Sequence, residues 1–93
     1  NTIVSVKRFM GRGTAAVEMA KTPDDFKRAA TEFKQALKAA PWLANAYFNL
    51  GVVQEKAGDF AGAMSSYKLY LFAAPNAPEA AAIQQSGQGI RFG

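Results

Sequence analysis

The chemistry open to this chain is bounded first by what it lacks. It has no His and no Cys, so the commonest general base, the commonest partner of an activated nucleophile and the thiolate metal ligands are all missing. Any catalysis would rest on carboxylates. Asp24 and Asp25 are adjacent and therefore point to different sides, while Glu55 and Asp59 straddle the turn at Ala57-Gly58, where water is the default surrounding. No triad or acid–base pair can be assembled from these residue types at such spacing, so neither an enzyme nor a cofactor or metal site is expected. Recognition chemistry is better supplied. In "NAYFNLGVVQEKAGDF", Phe48 offers apolar area and Asn49 an amide able to bond the backbone of an extended peptide.

Charge narrows the partners. Of the formal +4, Lys7, Arg8 and Arg12 supply three charges with no acid among the first twelve residues, and residues 13–93 carry eight basic and seven acidic side chains. Non-specific nucleic-acid affinity needs many Lys and Arg on one surface, so a nucleic-acid partner is not expected. No run of about 18 apolar residues occurs, which excludes a helical membrane span, and the first residues lack the apolar core of a signal peptide. The expectation is a soluble, cytoplasmic chain, or a periplasmic one if a signal segment has been removed. Ninety-three residues make one small domain or a piece of a larger one, with modest burial and no disulfides to support it.

The elements that hold these residues emerge on sliding the sequence against itself. At an offset of 34, "DDFKRAATEFKQALKAAP" (residues 24–41) aligns with "GDFAGAMSSYKLYLFAAP" (residues 58–75). The alignment pairs Phe26 with Phe60, Ala29 with Ala63, Phe33 with Tyr67 and Lys34 with Lys68, and both copies end on Ala-Ala-Pro. A period of this length marks a repeat architecture. Within the copies, Phe26, Ala29, Ala30, Phe33, Ala36 and Leu37 share one helical face, as do Phe60, Ala63, Met64, Tyr67, Tyr70 and Leu71, and all are expected in the core. Pro41 and Pro75 stop the helices. Thr22-Pro23-Asp24-Asp25 reads as an N-cap, a first-turn proline and acids against the positive end of the helix dipole. Between the copies, Tyr47, Leu50, Gly51 and Gln54 form a second helical face.

Residues 44–77 therefore resemble a tetratricopeptide repeat, on Tyr47, Leu50-Gly51, Ala63, Tyr67 and Pro75. The resemblance implies an all-α fold of antiparallel helix-turn-helix units, about two repeats plus a capping helix. Residues 1–12 form an N-terminal arm outside the repeat, 13–43 a degenerate first repeat, 44–77 the second repeat, and 78–93 a capping helix and tail. A short or irregular helix is expected through Gly11 and Gly13, with Gly13, Ala16 and Val17 in the places of Tyr47, Leu50 and Gly51. Gly51, with Ala63, would let the two helices of one repeat cross closely. Gln54 and Tyr70 depart from the family pattern, and Tyr70 is expected to pack toward the small residues Ala80, Ala81 and Ala82.

The same resemblance implies a concave groove that binds a protein or peptide partner, lined here by Asn45, Phe48, Asn49, Val52, Glu55 and Lys56. Phe48 and Val52 either touch that ligand or pack against the preceding first helix. A carboxylate clamp used by part of the family maps onto Asn49, Thr14, Glu18, Glu79 and Ile83. Two acids among them would repel a carboxylate, so that mode is rejected. The opening "NTIVSVKRFMGRG" is similar to a short segment of the ATPase domain of the seventy-kilodalton heat-shock chaperones. A dozen residues cannot make an ATP site, and the readings left are chance or an arm that packs on the first helix through Ile3, Val4, Val6 and Phe9. The function expected is a protein-interaction scaffold without catalysis. The alternative is a structural module that forms homo-oligomers or stacks on the rest of a longer repeat protein.

Overall fold

A computed structural model describes residues 1–76. It contains four helices in succession: α1 (Thr2–Met19), α2 (Pro23–Ala39), α3 (Ala44–Lys56) and α4 (Phe60–Ala73), with no strand among the described residues. Short connections fold each helix back along the one before, so α1 and α2 form one antiparallel hairpin, α3 and α4 a second, and α2 packs on α3 to join them. The capping helix and tail expected over residues 78–93 lie outside the described residues.

The ends of the helices follow from local chemistry. At the start of α2 the Thr22 hydroxyl accepts from Asp25 N at 3.2 Å, and the Asp25 carboxylate accepts from Thr22 N at 3.2 Å, completing a capping box before Pro23. Asn1 caps α1 by accepting from Ile3 N at 2.9 Å, and Asp59 caps α4 by accepting from Gly62 N at 2.9 Å. The end of α3 is closed by Gly58, whose φ of +84° lets its N–H reach Glu55 O at 3.0 Å and the Asp59 N–H reach Gln54 O at 2.8 Å. α2 and α4 stop at Ala40 and Ala74, one residue before each proline.

The first helix departs from expectation. Instead of an arm followed by a short or irregular helix, α1 is one continuous element of 18 residues that runs through the junction at residue 12. Glycine in a helix interior costs about 1 kcal/mol, but packing offsets it here. Met10, Ala16 and Val17 join the core cluster of Ala29, Ala30, Phe33, Leu50 and Val53, and Gly13 is buried beneath the Phe33 ring. Arg12 adds an ion pair, its Nε 2.6 Å from the Glu32 carboxylate but not aimed along a hydrogen bond. Val6 and Phe9 are half-buried as expected of a packing segment, whereas Ile3 and Val4 are exposed.

Gly51 makes room for a side chain rather than for a backbone. A Cβ there would stand 2.5 Å from Tyr67 Cε1, and one on Gly13 would stand 2.6 Å from Phe33 Cε1. Ala63 is buried in the same hairpin, but it is the Tyr67 ring that fills the space. Gly13, not Val17, is thus the counterpart of Gly51. Twenty residues separate Gly13 from Phe33 and sixteen separate Gly51 from Tyr67, so α1 is offset by about one turn from the 34-residue register that relates α2 to α4. Two apolar positions of α4 also differ from the core expectation. Phe60 is 66% exposed and Met64 is exposed. Tyr70 is buried with its ring 5.3 Å from that of Phe48, and the Ala80, Ala81 and Ala82 expected to pack against it lie outside the described residues.

Candidate binding groove

Of the six residues expected to line a groove, Phe48, Asn49 and Val52 converge on one. Phe48 and Asn49 sit one turn before Val52 on α3, and the three face Thr14 and Val17 of α1 across an open depression of about 230 Å³, whose floor is Phe33 of α2 and Val53 of α3. The walls are mostly apolar. Polar recognition is left to the Asn49 amide, which makes no hydrogen bond among the described residues, and to the Thr14 hydroxyl, which donates to Met10 O at 2.9 Å and keeps its acceptor capacity. Phe48 is both wall and packing residue: its ring lies 6.1 Å from that of Tyr67 and 5.3 Å from that of Tyr70, so it leans on α4 rather than on α1.

The other three do not line this depression. Asn45 is exposed in the first turn of α3. Lys56 turns to the preceding hairpin, its Nζ 5.8 Å from the Phe26 ring centre. Glu55 serves Tyr67. Burial raises the Tyr67 pKa well above the usual phenol range, and the Glu55 carboxylate raises it further by accepting the hydroxyl's hydrogen bond and by its charge. A helical wheel places both long side chains at the groove edge, and their reach carries the head groups elsewhere.

Thr14, Val17, Phe33 and Val53 complete the groove. The signal for them was the pairing of a glycine with an aromatic in each hairpin, Gly13 with Phe33 and Gly51 with Tyr67, which sets how α1 and α3 face one another. Moving α1 by one turn also moves the clamp positions on that helix to Met10 and Thr14, which again supply neither Lys nor Asn.

A larger depression of about 480 Å³ lies between α2 and the α3–α4 turn. Its polar groups are mostly engaged internally. Lys27 is 3.7 Å from Asp24, the Thr31 hydroxyl donates to Lys27 O at 3.2 Å, and Asp59 caps α4. Buried Gln54 is held against α4, its Nε2 within donating reach of Ser66 Oγ at 2.5 Å, Gly62 O at 3.0 Å and Leu50 O at 3.3 Å. Among the described residues no group of three His, Cys, Asp or Glu is arranged to hold a metal, and no helix is long and apolar enough to cross a membrane.

The profile described as tetratricopeptide repeat matches residues 24–78, more than half of the chain. The chain belongs to the tetratricopeptide-repeat family. No curated protein and no solved structure matches it. The matched span starts within α2, so in this tetratricopeptide-repeat chain α1 stands before it and is defined by its packing. Family membership suggests a scaffold for protein partners, in keeping with the all-helical fold.

Proposed function

We propose that the chain binds an extended segment of a protein partner in the groove between α1 and α3 and has no catalysis of its own. The observation that carries this reading is the convergence of Thr14, Val17, Phe48, Asn49 and Val52 on one preformed depression with an unengaged amide at its wall. An apolar side chain of the partner would seat on Val17, Val52 and the edge of Phe48, and Asn49 would bond the partner's backbone. A groove already in place loses little ordering entropy on binding, which favours affinity. The similarity of residues 1–12 to a chaperone ATPase segment contributes nothing to this reading, since Val6, Phe9 and Met10 have a packing role.

Selection of random peptides on the purified chain tests it. Enriched peptides should lose tenfold or more in affinity on Val52→Glu and on Asn49→Ala, the usual scale for removing an anchor. Both variants should keep the parent's circular dichroism. Peptides that bind the folded variants undiminished would move the binding surface elsewhere. A second reading, stacking of copies, draws on Phe60 and Met64, exposed one turn apart on α4. Light scattering that rises in mass with concentration, and falls back on Phe60→Ser, would support it.

A further inference from the structure

We propose that the end of the molecule formed by the N-terminus of α1, the α2–α3 connection and the C-terminus of α4 is an attachment surface for an anionic lipid bilayer. The antiparallel succession of helices brings these three segments together. Gly13 lies against Phe33 and Gly51 against Tyr67, so the start of α1, the end of α2, the start of α3 and the end of α4 all point the same way.

Two independent properties coincide there. The first is exposed apolar surface: of the eight large hydrophobic residues exposed among those described, Ile3, Val4, Trp42, Leu69 and Phe72 sit at this end, with Trp42 70% and Phe72 87% exposed. The second is charge. Lys7, Arg8, Lys38 and Lys68 are exposed here, and none forms an ion pair among the described residues. No carboxylate of the described residues accompanies them. Glu18, Asp24, Asp25, Glu55 and Asp59 lie at the opposite end, among Lys21, Lys27, Arg28 and Lys56, and Glu32 at mid-helix is paired with Arg12. These four cations stand against a net −1 at the opposite end, with the single charge of Lys34 on α2 between them, and residues 77–93, with one Glu79 and one Arg91, add nothing to the total of +4.

Charge selects the class of partner and the apolar residues select within it. Four unpaired cations without an acid fit a surface of negative charge, and each contributes roughly a fivefold gain in affinity near an anionic leaflet. Nucleic acid would satisfy the cations but has no use for Ile3, Val4 and Leu69. A bilayer interface takes aliphatic side chains into its acyl boundary and holds Trp at the headgroup level. It also accepts apolar tips that come from three separate chain segments, because a fluid surface needs no matched shape.

Trp42 is the only tryptophan of the chain and reports on the contact directly. Vesicles of phosphatidylcholine with roughly a third phosphatidylserine should shift its emission to the blue and expose it to quenching by brominated lipid, with the effect reversed by salt. Pure phosphatidylcholine should give little shift. Lys7→Gln with Arg8→Gln should weaken vesicle binding roughly thirtyfold while leaving circular dichroism unchanged. If that pair fails to fold, Lys38→Gln with Lys68→Gln carries the same test on other helices. Ile3→Ser with Phe72→Ser should weaken binding while salt dependence persists. No shift with anionic vesicles overturns the proposal. So does an equal shift with neutral ones, a shift only with duplex DNA, or a concentration-dependent shift without lipid, the last placing this end between copies of the chain.

Discussion

In the first hairpin a glycine of α1 lies under Phe33, which is 1% exposed and walled in by Ala29, Ala30, Leu50 and Val53. In the second a glycine of α3 lies under Tyr67, which is only half-buried and carries a hydroxyl to Glu55. The device is shared and the surroundings are not. Around Phe33 the contacts are apolar and belong to the core of the whole molecule; around Tyr67 they include a phenol–carboxylate bond and the buried Gln54–Ser66 pair. The difference teaches that the first hairpin holds its crossing by volume, whereas the second holds it by volume and directed bonds together. A ring locked in a core cannot yield, and one with an exposed edge can.

The largest effect should therefore come from the glycines. Gly13→Ala drives a methyl into a ring with nowhere to go and should cost about 2–3 kcal/mol, near the upper range for overpacking. Gly51→Ala meets a ring free to swing toward water and should cost about 1 kcal/mol. Thermal melts of the two variants rank them, and equal losses would break the contrast between the rings.

A smaller effect tests the directed bonds. Ser66→Ala removes one partner of a buried amide and should cost about 1–2 kcal/mol, the scale for leaving a buried polar group short of a bond. Gln54→Leu combined with Ser66→Ala should be less destabilising than the two separate losses added together, because neither group is then stranded. Additive losses in that cycle would show that the pair does not act as a unit.

The smallest effects distinguish the hairpins by pH. Asp25 is held below its usual 3.8, first by the Lys21 N–H and further by the Thr22 N–H, the Thr22 hydroxyl and Arg28. Its contribution is present above pH 3.8 and fades as pH falls through the lower folded value. Tyr67 runs the other way. Its folded pKa is raised, so its contribution is whole below 10.0 and is lost as pH climbs past that value. Asp25→Asn should flatten the acid side of a melting-temperature profile and Tyr67→Phe the alkaline side. A crossed result would assign the sensitivities to other groups.

Much of the frame was legible because its signals are strong and local. The period of 34, the two Ala-Ala-Pro stops and the Thr22-Pro23 start place α2 and α4 from sequence, and Gly51 announces a close approach. A glycine says that room is needed and not for what, so Tyr67 was hidden behind Ala63. α1 was obscured because Gly11 and Gly13 read locally as breakers; packing against Phe33 accounts for the helix at Gly13, while Gly11 faces open space. The groove was half legible for a related reason. Phe48, Asn49 and Val52 share a face by periodicity alone, while Thr14 and Val17 join them only once α1 is shifted by its extra turn.

The floor of the groove is Phe33 and Val53, the two largest fully buried side chains among the described residues. Recognition and folding therefore share atoms. A ligand seated there would press on the keystone of the molecule, so occupancy should register as a rise in melting temperature even for a weak binder. The same sharing constrains how specificity can drift. Variation at Val17 or Val52 reshapes the walls alone, whereas variation at Phe33 or Val53 changes the ligand and the fold in one step, so new specificities are reached through the walls.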